Sequence, residues 1–111
     1  MMPDDGMKDL QLLSLFINHV VSDYRLKPVH IALSTALCQA WIASRFQRSY
    51  HVSRRKLMKA SRILSKATYH KALRELQAFG YLEYHPSYHP LNGSSVTLKI
   101  ESSLSDNSET H

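Results

Sequence analysis

The sequence predicts a mainly α-helical domain with a small antiparallel β-hairpin, and three observations carry that expectation. Apolar residues recur at three- and four-residue spacing through most of the first 79 positions. Strict alternation replaces that spacing near the end, at Val96, Leu98 and Ile100. Pro28, Ser53, Ser65 and Gly80 stand where helix boundaries are needed. A chain of 111 residues fits one domain with some terminal excess and excludes two. A domain of this size buries about 60–70% of its unfolded surface, enough for one core without disulfide or metal.

Met1 to Met7, with Pro3 and Gly6, reads as a flexible leader. Residues 8–27 form an N-terminal helical unit, in which Leu10, Leu13, Ile17, Val20, Val21 and Tyr24 make an amphipathic stripe. Pro28 suits the first turn of a second helix that runs to about Phe46, with Leu33, Leu37, Ala40, Trp41 and Ser44 along one face. It is the longest apolar helix and should be central. Tyr50, His51 and Val52 allow only a very short strand. Ser53 caps a third helix, Arg54 to Ala60, with Leu57 and Met58 facing in, and Ser61 to Leu64 turns the chain. Ser65 caps a fourth helix that runs to Phe79 and stops at Gly80; its inward side is Tyr69, Ala72, Leu73, Leu76 and Phe79. Tyr81 to His85 and Val96 to Ile100 form the hairpin around a long loop, and residues 101–111 read as a disordered polar tail.

Helix, helix, short strand, helix, turn, helix and hairpin is the winged helix-turn-helix order, here with an extra N-terminal helix before a domain at residues 28–100. The run Ser65, Lys66, Ala67, Thr68, Tyr69, His70, Lys71 into Leu73, Leu76, Gly80, Tyr81 and Leu82 resembles the recognition helix and first wing strand of winged-helix bacterial transcriptional regulators. His30, Ile31, Ala32, Leu33 with Trp41, and Pro86 to Pro90 with Gly93 and Ser94, are similar to short regulators carried on bacterial mobile elements. The resemblance covers Val29 to Ile100 and implies a transcription-regulating DNA binder. The turn from Leu57 to Ser65 departs from it, being one residue longer than the commonest spacing.

Charge points to the same partner independently. The chain carries 14 Lys and Arg against 9 Asp and Glu, a net +5. The signs are segregated: between Asp23 and Glu75 there are twelve Lys and Arg and no acid. Such a run repels itself unless a polyanion neutralises it, so double-stranded DNA is the expected partner. On the fourth helix Lys66, Thr68, His70, Lys71 and Arg74 face outward, suited to base edges in the major groove. Ser65 and Thr68 can offer hydroxyls and backbone N–H groups to a phosphate at the helix start. Arg54, Arg55, Lys56, Lys59 and Arg62 suit phosphate positioning. Arg45 and Arg48 either join them or complement the end of the second helix. In the wing, Tyr88, His89, Asn92 and Ser94 surround Gly93 and can lie along the backbone or the minor groove. A protein-interaction module with a basic docking face, and an architectural or replication role on a mobile element, stay open as alternatives.

Other classes find little support. Only Gly6, Gly80 and Gly93 exist, so there is no phosphate-binding glycine loop, and no carboxylate pair sits in the basic region. The chain is not expected to be an enzyme, and no cofactor is implied. His85 and His89 straddle Pro86 with no Cys or close carboxylate to complete a metal site. No second domain is available to bind a small-molecule effector. The single Cys38 in an apolar run favours a reducing compartment, and no segment reaches about 18 uninterrupted apolar residues. A soluble cytoplasmic protein is expected.

Leu12, Leu15 and Phe16 lie off the main stripe of the first helix. Two apolar sides cannot both face one small core, so these three residues form the expected homodimer interface. The competing reading packs that second side under the hairpin.

Overall fold

The structure, a computed structural model, describes residues 3–87 and 93–100, with side chains from residue 6 onward. Among them are α1 (Pro3–Ser22), α2 (Pro28–Ala43), β1 (Ser49–Val52), α3 (Arg54–Ser61), α4 (Lys66–Ala78), β2 (Leu82–His85) and β3 (Ser94–Leu98). The chain is therefore mainly helical with a small antiparallel sheet. The tail at 101–111 lies outside the described residues.

Helix α1 begins at Pro3, so the expected leader is helical from there on. Its start signal is in the sequence: proline presets the first-turn φ, and Asp4 and Asp5 follow where negative charge favours the helix N-terminus. Helix α2 stops at Ala43, short of Phe46, because Arg45 and Phe46 take left-handed backbone at φ 63° and 62°. The Phe46 N–H then donates to the Trp41 carbonyl at 3.0 Å, and the two rings meet edge-to-face with centroids 4.7 Å apart. Neither Arg45 nor Phe46 is a residue type that announces such a stop; the backbone bond and the ring contact between Trp41 and Phe46 hold it together.

Ser53 and Ser65 cap as expected, their hydroxyls accepting from the Lys56 N–H at 3.3 Å and the Thr68 N–H at 3.2 Å. Between the two helices, Arg62 takes φ 62°, and the Ile63 N–H donates back to the Met58 carbonyl at 3.0 Å. This left-handed residue absorbs the extra length of the turn while Ile63 stays buried.

Strand β3 is central, in the order β1-β3-β2, with both pairings antiparallel. The short Tyr50 segment thus joins the expected hairpin as a third strand. Val96 is fully buried opposite both Tyr50 and Tyr84. Gly93, at φ 63°, enters β3 where a Cβ would meet the Val52 carbonyl oxygen at 3.1 Å, so a side chain there conflicts with β1.

Helix α2 contacts α1, α3, α4 and β1, and Leu33 and Leu37 on it are fully buried. Cys38 is buried as expected, and burial pushes its thiol up to about 12.

Helix α1 is turned the other way from the sequence expectation. Phe16 is 3% exposed and meets Tyr81 edge-to-face at 6.0 Å, while Leu12 and Leu15 are half-buried against the core. These three residues form no outward face. The exposed side instead carries Leu10, Ile17 and Val21 from the expected inward stripe, with Tyr24 fully exposed beyond the helix end, leaving Val20 and Leu13 as the stripe's core members. Aromatic packing against Tyr81 decides the orientation, because a ring buries more area than any aliphatic residue on the other side.

Candidate nucleic-acid interface

Helices α3 and α4 position the basic residues. On α3, Leu57 is buried and Met58 half-buried, which turns Arg54, Arg55, Lys56 and Lys59 to solvent. On α4, Tyr69, Ala72, Leu73 and Leu76 are buried, and Lys66, Thr68, Lys71 and Arg74 are exposed. Among the described residues none of the seven cations in these two sets forms an ion pair. The surface is therefore basic without internal neutralisation.

The only carboxylate on α4 is tied to α2. Glu75 Oε1 lies 2.8 Å from Nε2 of the buried His30, and His30 Nδ1 accepts the Lys27 N–H at 2.9 Å. The backbone donor assigns the ring hydrogen to Nε2, which donates to the carboxylate. That hydrogen bond, aided by the nearby Lys71 and Lys27 charges, holds the Glu75 carboxyl below its ordinary pKa. One imidazole thus ties the first turn of α2 to the middle of α4.

A second set fixes the C-terminal end of α4. The Arg25 guanidinium lies 4.4 Å over the Phe79 ring and pairs with Asp23 at 2.7 Å. The Tyr81 hydroxyl donates to Asp23 Oδ2 at 2.7 Å. Arg25 and Tyr81 together hold the Asp23 carboxyl well below the usual carboxylate range, and burial with the Asp23 bond pushes the Tyr81 hydroxyl up to about 12. The Tyr84 N–H donates to Gln77 Oε1 at 2.9 Å, which links α4 directly to β2.

Four expected site residues differ in detail. His70 is half-buried with its ring 5.2 Å from that of Tyr69, so the row Lys66, His70, Arg74 is not evenly exposed. The exposed row at helical spacing is Ala67, Lys71 and Arg74. Ser65 and Thr68 are exposed, but the Thr68 N–H is already taken by the Ser65 hydroxyl. Any phosphate at the helix start meets the N–H groups of Lys66 and Ala67, for which a helix offers no internal acceptor. Arg62 is exposed and donates from Nη1 to the Lys59 carbonyl at 3.0 Å, so it closes α3 as well as adding charge.

Arg48 lines an open cleft of about 450 Å³ with Lys8, Asp9, Glu83 and Lys99, rather than joining α3. Tyr88, His89 and Asn92 lie outside the described residues. Ser94 is half-buried and its hydroxyl lies 2.8 Å from that of Tyr84.

Sequence reasoning places His30 at a helix start with hydrogen bonds of its own, as found, but missed its partner Glu75, and also Asp23, Arg25 and Leu64. Leu64 is the plainest omission: it is 95% exposed immediately before the α4 cap, while its apolar neighbour Ile63 is buried. Comparison with family models, with curated proteins and with solved structures finds no match. Among the described residues no group of three or more His, Cys, Asp or Glu is arranged to hold a metal ion, and no helix is long and apolar enough to cross a membrane.

Proposed function

We propose that the protein is a sequence-specific double-stranded DNA-binding regulator of the winged helix-turn-helix kind, in which α4 enters the major groove and α3 rides on the backbone. One observation carries the reading: among the described residues the exposed cations of α3 and α4 have no carboxylate partner, and the one acid on α4 is bound to His30. A surface held basic in this way is neutralised by a polyanion. A major groove about 12 Å wide admits one helix, and α4 has the required division into an apolar inner side and a polar outer side.

The roles divide by position. Lys71 and Arg74 reach base edges, with Lys66 and Thr68 at the helix start, while Arg54, Arg55, Lys56 and Lys59 contact phosphates. The β2–β3 hairpin is the wing. Leu64 and Ala67 supply apolar contact to thymine methyl groups. Regulation of transcription follows from site-specific occupancy, and the chemistry of the surface calls for no catalytic step.

Selection of bound duplexes from a random pool, followed by titration at several salt concentrations, tests the proposal. A recurring sequence should emerge. Log affinity should fall against log salt with a slope near about −5, as for roughly six neutralised phosphates. A slope near zero would reject nucleic acid and leave the basic face as a docking surface for an acidic protein.

A further inference from the structure

The exposed side of α1 has a pattern unlike scattered surface hydrophobics. Met7, Leu10, Ile17, Val21 and Tyr24 are each between 44% and 100% exposed. With Ser14 included, the exposed helical positions 7, 10, 14, 17 and 21 alternate steps of three and four without a break, and Tyr24 follows just past the helix end. Alternation of that kind over two seven-residue repeats is the spacing of a seam between two helices. Within the domain the core needs only the opposite side, where Phe16 and Val20 are buried.

We infer that this seam is a homodimer interface, formed by antiparallel packing of α1 on α1 of a second copy. Its chemistry selects that occupant. From Leu10 to Ser22 the helix holds no Lys, Arg, Asp or Glu, although the chain as a whole carries a net +5. An acidic or nucleic-acid partner finds no cation there, whereas a second copy meets an uncharged surface rimmed by the exposed Gln11 and Asn18. The five apolar residues expose roughly 600 Å² per copy, Tyr24 the largest share, so a seam that covers all of them meets the lower bound of about 600 Å² per partner for a stable interface. Antiparallel register keeps the layers even, because Leu10 then meets Val21 of the second copy and Ser14 meets Ile17. It also opposes the two helix dipoles.

Sedimentation equilibrium of the full chain, with no DNA present, tests the interface separately from the DNA proposal. Wild type should sediment as two chains of 12.7 kDa each. Ile17→Lys combined with Val21→Lys should sediment as one, with unchanged helical circular dichroism because both positions are exposed. A wild type that stays monomeric at its highest soluble concentration, or a double variant that stays dimeric, overturns the inference. Cross-linking fixes the direction. Chains carrying Leu10→Cys, mixed with chains carrying Val21→Cys, should form a disulfide-linked pair, since the bridge requires Cα atoms within about 7 Å. The native Cys38 is buried and does not compete. Efficient cross-linking of Leu10→Cys chains to one another would instead demonstrate parallel packing and overturn the antiparallel arrangement.

Discussion

His30 donates through Nε2 to Glu75 across 2.8 Å while its other ring nitrogen accepts a backbone N–H from Lys27. The residues are far apart in sequence, and the pair sets both the start of α2 and the rotation of α4. Its location matters as much as its strength. Glu75 is the single acid in α4, and a free carboxylate there would oppose the basic face one turn from Lys71.

His30 is 2% exposed, so replacing it leaves both a cavity and a backbone N–H without its acceptor. His30→Ala should destabilise the fold by about 2–4 kcal/mol, measured as a shift of the urea midpoint at unchanged slope. Glu75→Gln keeps the α2 cap and should lose less stability. It should also raise affinity for random duplex DNA, because a negative charge beside the basic face is gone. A neutral His30→Ala would remove the structural role assigned to the pair.

The two basic sets should separate in binding. Lys71→Ala should weaken the selected site by roughly 1–3 kcal/mol more than random DNA, as expected for a lost base contact. Arg54→Ala and Arg55→Ala should weaken selected and random duplexes alike and reduce the magnitude of the salt slope by about one each. Lys71 is a cleaner probe than His70, whose ring also packs on Tyr69. Equal losses at all these positions would mean that α4 does not read bases.

Those roles show what the sequence makes legible. On α4 a single apolar stripe at regular spacing leaves one possible orientation, so the burial of Tyr69, Ala72, Leu73 and Leu76 and the exposure of Lys71 and Arg74 follow from periodicity alone. Helix α1 has apolar residues on nearly every side, and periodicity cannot choose among them. Phe16 turns inward because Tyr81, distant in sequence, waits there. The site's supporting contacts were hidden for the same reason: His30 with Glu75 and Asp23 with Tyr81 are long-range pairs whose members look unremarkable in isolation.

Asp23 should make stability sensitive to acid. Its pKa in the folded protein lies below the ordinary 3.8, so the unfolded chain takes up the proton first as pH falls. The stabilisation is complete above that ordinary value and is lost as the pH drops through and below it. Asp23→Asn should lower stability at neutral pH and flatten the decline on acidification below about pH 5, read from denaturation at a series of pH values. Tyr81→Phe removes one of the two groups holding the carboxyl down and should flatten it partly. An acid profile identical in all three proteins would contradict the assignment.

Leu64 should discriminate thymine from uracil. An almost fully exposed leucine beside the α4 cap gains by covering a methyl group when the helix is docked. Replacing thymines of the selected site one at a time by deoxyuridine should weaken binding at the position Leu64 covers, by about 0.8 kcal/mol for one buried methyl-sized group. Leu64→Ser should weaken the thymine site and erase that difference. A Leu64→Ser protein that still distinguishes the two bases to the same extent would assign the methyl contact elsewhere.

Arg62 separates stability from binding within one residue. Its left-handed backbone, φ 62°, costs a non-glycine residue about 1 kcal/mol, yet the turn between α3 and α4 requires that conformation to bring Ile63 back into the core. Glycine adopts it without the Cβ penalty. Arg62→Gly does forfeit the Nη1 bond to the Lys59 carbonyl, but that bond is exposed and worth little beside the relieved strain. The extra chain entropy that glycine gives the unfolded state offsets part of the gain. The variant should therefore be as stable as wild type or slightly more so, with its thermal midpoint unchanged or raised by a few degrees. DNA binding should move the opposite way, weakening on selected and random duplexes alike because a phosphate-facing charge is lost. Arg62→Ala supplies the control: it removes the same charge but keeps the strained backbone, so it should match the glycine variant in DNA affinity and fall below it in stability. Equal stability of the two variants would show that the left-handed turn stores no strain, and undiminished affinity in both would remove Arg62 from the phosphate-contacting set.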